Sequence, residues 1–280
     1  SMLETWVEKL QDNLAPRTVE KYECVIGKTL RFAGAYGISY QMVDTITVPD
    51  DYQPHIFTPD QLVKLCAAAD NITYQHISSY PWIQAEIPML TRIFVSCGTR
   101  TSETLALRMR DVDLEQGVFI MRSTKGNVER YVPFVDDLRD LLDQYCRAMG
   151  ILGQPDAYLF PGFSQNESLP GYMYNRSFKK MVAEAGIHIT RERKQQRSVC
   201  PYCFRHTFAC MAVLHLQAQG IIVDNIYPYL SAYMGHKDLY STEKYLKLSE
   251  PLMAQSLEPY NEQMKKVFTG RAFNKDEVWE

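Results

Sequence analysis

Only one stretch of this 280-residue chain reads as β-structure, and that limits the fold more than any other feature. GVFIMRSTKGNVERYVPF, residues 117–134, carries β-branched and aromatic residues on both sides of Lys125-Gly126-Asn127. The pattern predicts an antiparallel hairpin with Lys125 at or beside its turn. Elsewhere apolar residues recur every three or four positions, the period of helices buried on one face. The expected class is therefore mainly α with a small antiparallel β-sheet, an α+β fold.

The helical pattern also divides the chain. Residues 3–37 read as two helices, the first with Leu3, Trp6, Val7 and Leu10 on one face, the second opening at APRT and running to about Gly34. ISYQMVDTITVPDDYQPHIF has no helical period and carries Pro49 and Pro54, so it reads as an extended linker. Thr58-Pro59-Asp60-Gln61 then supplies a cap and a first-turn proline for the helix that opens a larger domain. A helix over Pro88 to Cys97 should stop at Gly98, and another should follow GTR with Ser102 as its cap. Further helices are expected at roughly 136–149, 174–186, 204–219, 224–234 and 240–247. The resulting division is 1–48, a linker at 49–57, a domain at 58–255 and a tail at 256–280.

Composition excludes several classes. No run of eighteen apolar residues and no secretory signal is present, which predicts a cytoplasmic protein without a membrane partner. Seven cysteines, an odd and scattered set, suit reduced thiols better than a disulfide framework. The net charge of -3 hides an uneven distribution, because Pro170 to His206 holds eight basic residues against Glu184 and Glu192. Lys179, Lys180, Arg191, Arg193, Lys194 and Arg197 there are candidate contacts to a polyanion. The alternative is a solvated loop around RERKQQR.

Four boxes follow one another along the larger domain: GTRTSETLALRMRDVDL with Arg100 and Glu103, STKGNVERYVPF with Lys125, YCFRHTFA with Arg205, and GHKDLYSTEKY with His236 and Tyr245. Together they resemble the tyrosine recombinases, the site-specific recombinase and phage-type integrase family, over roughly residues 57–255. The resemblance implies a tyrosine-recombinase catalytic domain preceded by a short or truncated helical core-binding segment, and a C-terminal tail that protomers could exchange. It also implies cutting and rejoining of double-stranded DNA through a 3′-phosphotyrosyl intermediate, for a mobile genetic element, by a homotetramer on DNA that is monomeric when free. No cofactor, metal or ATP is implied.

The chemistry gives each residue a role. Tyr245, nine residues after His236, has the family spacing of the nucleophile, whereas Tyr240 is only four after it. Attack by a phenol on a phosphodiester loads negative charge onto the non-bridging oxygens, which guanidinium forks on Arg100 and Arg205 can bind. Glu103, three residues after Arg100, would orient it. Lys125 is the candidate acid for the departing 5′ oxygen. His236 would bond a phosphate oxygen or assist proton loss from the tyrosine. Alone, each residue has a commoner explanation, as a surface ion pair, a turn lysine or an amphipathic tyrosine.

Two features depart from the family pattern. The third box is usually His-x-x-Arg, but Tyr202 stands three residues before Arg205. A phenol can donate a hydrogen bond to phosphate yet carries no cationic charge near neutral pH. The rival reading is therefore a catalytically weak or inactive DNA-binding relative. Cys200-Pro201-Tyr202-Cys203 also spells a Cys-x-x-Cys motif, which would serve redox chemistry only in a βαβ setting that the surrounding sequence lacks.

Overall fold

The computed structural model describes residues 2–40, 47–48, 54–74, 80, 82–122, 129–188, 199–236, 242, 245 and 258–273. Two compact units divide the chain, one containing Ser1–Gln53 and the other Pro54–Thr190 with Ser198–Glu280.

The first unit holds α1 (Met2–Asn13) and α2 (Pro16–Ala35). Pro16 takes the first helical position of α2, where its missing N–H costs nothing. Val7 and Val19 are buried, and Trp6 meets Tyr22 edge to face at 6.3 Å.

The second unit opens with α3 (Pro59–Asp70), whose start carries a full capping box. Thr58 Oγ1 accepts from the Gln61 amide at 3.2 Å, and Gln61 Oε1 accepts from the Thr58 amide at 3.1 Å. Just before it, the Phe57 amide donates to Thr207 Oγ1 at 2.9 Å, so the threonine of the third box anchors the start of the domain.

Helix α4 (Ile83–Cys97) is buried on almost every side, the signature of a central core helix. It begins five residues before the expected Pro88, which lies inside it in the second turn. Arg92 is buried in this helix and makes a bidentate pair with Asp70 at 2.7 and 2.8 Å. The helix ends at Gly98 in the left-handed conformation, φ 56°. Helix α5 (Thr101–Leu105) is only one turn long, with Arg100 rather than Ser102 at its N-cap, because the chain bends back into a 3₁₀ turn at Met109–Asp111.

A three-stranded antiparallel sheet follows, in the order β1 (Val112–Asp113), β2 (Val118–Met121), β3 (Arg130–Pro133). Met121 pairs with Arg130 and Phe119 with Val132, as the hairpin pattern required. Among the described residues the remaining helices are α6 (Asp136–Ala148), α7 (Gly171–Glu184), α8 (Tyr202–Ala218), α9 (Val223–Met234) and α10 (Glu258–Lys265). The core runs between α3, α4, α6, α7 and α8, with Phe57, Phe178 and Phe204 in mutual ring contact. In this chain α10 packs against α3, and Phe273 beyond it rests on Tyr145.

Candidate active site

The end of α9 is the centre of the site. A helix terminus leaves its last carbonyls without intrahelical donors and with partial negative charge. Here three consecutive carbonyls are met by three arginines from three different elements. Arg130, at the start of β3, donates from Nε to Tyr233 O at 2.8 Å. Arg205 on α8 donates from Nη2 to Met234 O, and Arg100, at the start of α5, donates from Nη2 to Gly235 O at 3.0 Å. Arg205 also donates from Nη1 to Gly98 O at 3.0 Å, the carbonyl beyond α4. Two helix ends thus hold its guanidinium, which is 1% exposed.

Among the described residues Glu103 is the one carboxylate tied into this group. It accepts from Arg100 Nη1 at 2.5 Å on one oxygen and from Arg130 Nη2 at 2.6 Å on the other. Burial alone would push its carboxyl up, but hydrogen bonds and charge from Arg130, then Arg100, bring it below its ordinary value. Arg205 has its pKa lowered, first by burial and next by the charge of Arg100. Three guanidiniums against one carboxylate leave the cluster positively charged.

Gly235 takes φ 62°, a conformation that closes α9 and that residues with a Cβ rarely adopt. A Cβ there would also lie 3.1 Å from Arg130 Nη1. His236 follows directly, with Nδ1 2.8 Å from Thr242 Oγ1 and Nε2 3.4 Å from Arg205 Nη2. A guanidinium only donates, so this geometry makes Nε2 the acceptor and leaves the ring proton on Nδ1, directed at Thr242.

Tyr245 is buried, its ring stacked on His236 at 6.0 Å and tilted against His206 at 5.5 Å. Burial raises its phenol well above the ordinary value of 10.0; the neighbouring Tyr202 adds to the rise and Arg205 opposes it. In this arrangement the hydroxyl is protonated. Tyr202 is the first residue of α8, 38% exposed, with its ring edge against His206 at 4.7 Å. It is close enough to Arg205 and Tyr245 to perturb both.

The structure thus brings Arg100, Glu103, Tyr202, Arg205, His236 and Tyr245 together. Lys125, Arg191, Arg193, Lys194, Arg197 and Tyr240 lie outside the described residues. Lys179 and Lys180 are exposed on α7, where Lys180 Nζ stands 4.8 Å from the Tyr74 ring centre, and neither bonds to Arg100, Arg205 or His236.

Arg130, Thr242 and His206 join the group without having been singled out in the sequence. A signal existed for Arg130, because strand alternation turns it inward with Val132 while Tyr131 and Pro133 face out. The second cysteine of the Cys-x-x-Cys stretch is buried, and its thiol is pushed up by a hydrogen bond with Cys200 and by burial. Among the described residues no three of His, Cys, Asp and Glu are grouped to hold a metal ion, and no helix is long and apolar enough to cross a membrane.

Comparison with known proteins gives the same outline. The tyrosine recombinase XerD of Rhizobium meliloti is 28% identical over 180 residues, covering 63% of this chain and 53% of that protein. XerC of Rickettsia bellii is 29% identical over 182 residues, covering 64% and 53%. The match thus spans about half the length of these two relatives. Among solved structures, XerH site-specific recombinase bound to palindromic difH substrate has TM-score 0.65 at 17% identity, covering 90% of this chain and 69% of that one. A lambda integrase dimer bound to a COC′ core site has TM-score 0.62 at 16% identity, covering 90% and 65%. At these identities the structures establish a shared fold. The phage integrase family model matches residues 55–251, most of the second unit, and the chain belongs to that family, the tyrosine recombinases.

Proposed function

We propose that this protein is a site-specific DNA recombinase that cuts and rejoins strands through a 3′-phosphotyrosyl intermediate, serving a mobile genetic element. The observation that carries the reading is the convergence of Arg100 and Arg205 with His236 and Tyr245 at the end of α9, with positive charge that one carboxylate does not balance. A scissile phosphate supplies the missing anion, and the two forks gain strength as charge builds on its non-bridging oxygens. Glu103 orients Arg100. His236 bonds a phosphate oxygen or assists loss of the Tyr245 proton. Tyr202 donates to the phosphate in place of the family histidine, and Lys125 protonates the leaving 5′ oxygen.

In this reading residues 58–255 form the catalytic domain, 1–48 a core-binding segment, 49–57 the linker and 256–280 the tail. Lys179, Lys180, Arg191, Arg193, Lys194 and Arg197 contact the DNA backbone. The partner is double-stranded DNA, and the working form is a homotetramer assembled on it from free monomers. DNA bearing homologues among the solved structures, XerH with difH and lambda integrase with a core site, support that choice of partner. A second reading, a relative that binds DNA without cutting it, draws on Tyr202 at the position of the histidine.

A nicked suicide substrate separates them. Wild type is expected to form a denaturant-resistant protein–DNA adduct, and Tyr245→Phe none; Tyr240→Phe retains it. Absence of any wild-type adduct on a bound site would sink the enzymatic reading. Lys125→Ala is expected to cut slowly and to recover when the leaving oxygen is replaced by sulfur, because a thiolate departs without a proton. Failure to recover would move the acid elsewhere.

A further inference from the structure

Of the three arginines at the end of α9, Arg130 has no part in the proposed chemistry. It nevertheless holds both a carboxylate and a helix carbonyl while 7% exposed. We propose that Arg130 is a positioning residue for strand cleavage, which locks Glu103 and through it aims Arg100 at the scissile phosphate. The inference rests on the recombinase reading and deepens it.

The argument starts from what a free carboxylate does beside a guanidinium. Two carboxylate oxygens and two guanidinium nitrogens prefer the parallel, two-bond fork. Arg100 does not have that arrangement with Glu103. Its Nη1 takes one oxygen at 2.5 Å while its Nη2 is turned to Gly235 O at 3.0 Å. The second oxygen of Glu103 is already taken by Arg130 Nη2 at 2.6 Å. Arg130 therefore keeps Glu103 from capturing the whole fork of Arg100. With Arg130 removed, Glu103 is free to bind Arg100 through both oxygens, drawing Nη2 away from the turn that leads into His236 and neutralising the charge meant for phosphate.

Arg130 also sets the distance between elements. Its Nε bond to Tyr233 O ties the first residue of β3 to the last turn of α9. That residue closes the hairpin whose connecting segment contains Lys125, and the turn it grips continues through Gly235 to His236. Arg130 Nη1, Cδ and Cζ lie 3.1–3.3 Å from where a Cβ on residue 235 would stand, so the glycine is needed for this approach as well as for its backbone conformation. Among the described residues Nη1 itself makes no hydrogen bond, and the guanidinium acts through Glu103 and the helix end rather than by reaching the substrate.

The test uses the full chain and single-turnover cleavage of a nicked duplex, with the scissile phosphate either natural or replaced by a methylphosphonate, which lacks one anionic oxygen. Arg130→Met is expected to slow cleavage of the natural linkage roughly 10²-fold, the loss expected when a reacting group is misplaced by about 1 Å. DNA affinity should change less than about threefold, since Arg130 makes no contact with substrate. The methylphosphonate should restore most of the lost rate, as it does for an arginine with less charge left to neutralise. The double variant Arg100→Lys with Arg130→Met should be no slower than the slower single variant, because both act at one point.

Arg130→Lys keeps a cation but cannot serve Glu103 and Tyr233 O together; it should lose about tenfold in rate at nearly unchanged melting temperature, and it carries the test if Arg130→Met does not fold. Losses that multiply with Arg100→Lys and are not relieved by the methylphosphonate would make Arg130 merely structural and overturn the proposal. Cleavage by Arg130→Lys within twofold of wild type would do the same. A wild-type protein that forms no adduct would instead overturn the recombinase reading, and this inference with it.

Discussion

Glu86 and Glu103 lie almost equally deep in the second unit, at 0% and 3% exposed, and the protein treats them in opposite ways. Glu86 sits in the first turn of α4, and neither of its oxygens has a hydrogen bond among the described residues. Burial pushes its carboxyl well above the ordinary value and so favours the uncharged acid. Glu103 has two arginines within 2.6 Å and is held ionised below its ordinary value. Burial is common to both, so depth does not decide the charge. What decides it is whether the surroundings were built for an anion, and of these two places the end of α9 was. A carboxylate fixed between guanidiniums at a helix terminus marks the site, while a core carboxyl without such partners is pushed toward its uncharged form.

The strongest way to break this comparison is Glu103→Gln. It leaves two largely buried guanidiniums short of their anion, and loss of one member of a buried pair typically costs about 3–5 kcal/mol. Denaturant unfolding at pH 7 should register that loss. The sign with pH follows from the lowered carboxyl. The stabilisation from Glu103 is fully present above its unfolded value near 4.5 and is lost as pH falls through the lower folded value, and the glutamine variant lacks this acid limb. A Glu103→Gln protein as stable as wild type would mean that Arg100 and Arg130 are satisfied without it.

The second test sharpens the functional side. If Tyr202 stands in for the family histidine, Tyr202→Phe should slow cleavage by about 10²–10³ with little change in DNA binding, the usual cost of one donor to a developing oxyanion. Its half-exposed ring predicts little change in stability. Tyr202→His should retain activity, with a gain toward lower pH as imidazolium adds charge. Equal single-turnover rates for Tyr202→Phe and wild type would remove Tyr202 from the site and leave the phosphate to Arg100, Arg205 and His236.

Much of this arrangement was legible before the structure, and what was not has a physical reason. Local signals are enough for the Thr58 cap, for the stop at Gly98 and for the β2–β3 pairing, because each depends on residues a few positions apart. The beginning of α4 was misplaced because Pro88 resembles a first-turn proline, yet a proline is also tolerated early in a helix held by tertiary packing. Ser102 looked like a cap, but the chain needed Arg100 at that corner to reach Gly235. The meeting of three arginines on Tyr233, Met234 and Gly235 could not be seen in sequence at all. It joins α5, β3, α8 and α9, and only Arg130's inward register on its strand gave a local hint. Glu86 was missed for the complementary reason: an acid in a helical pattern reads as a solvent-facing position.

The smallest effect belongs to that residue. In Glu86→Gln the side chain keeps its shape and loses its titration, so the variant isolates the cost of a buried acid. The folded value of Glu86 lies above its unfolded value of about 4.5; its favourable contribution is therefore fully present below that pH and is lost as pH rises toward the folded value. Wild type should lose about 1.4 kcal/mol relative to the variant for each pH unit within that window. Comparing unfolding free energies at pH 5 and pH 6 should reveal a difference of that order, with the two proteins converging near pH 4. The phenols of Tyr74, Tyr80 and Tyr145, whose values burial raises, remain uncharged throughout this range and add no slope of their own. Cleavage should be unaffected, because Glu86 shares no hydrogen bond or ion pair with the α9 terminus. If the variant and wild type kept parallel stability between pH 5 and 6, Glu86 would have to find a proton-independent partner in the core, and the contrast with Glu103 would rest on geometry alone.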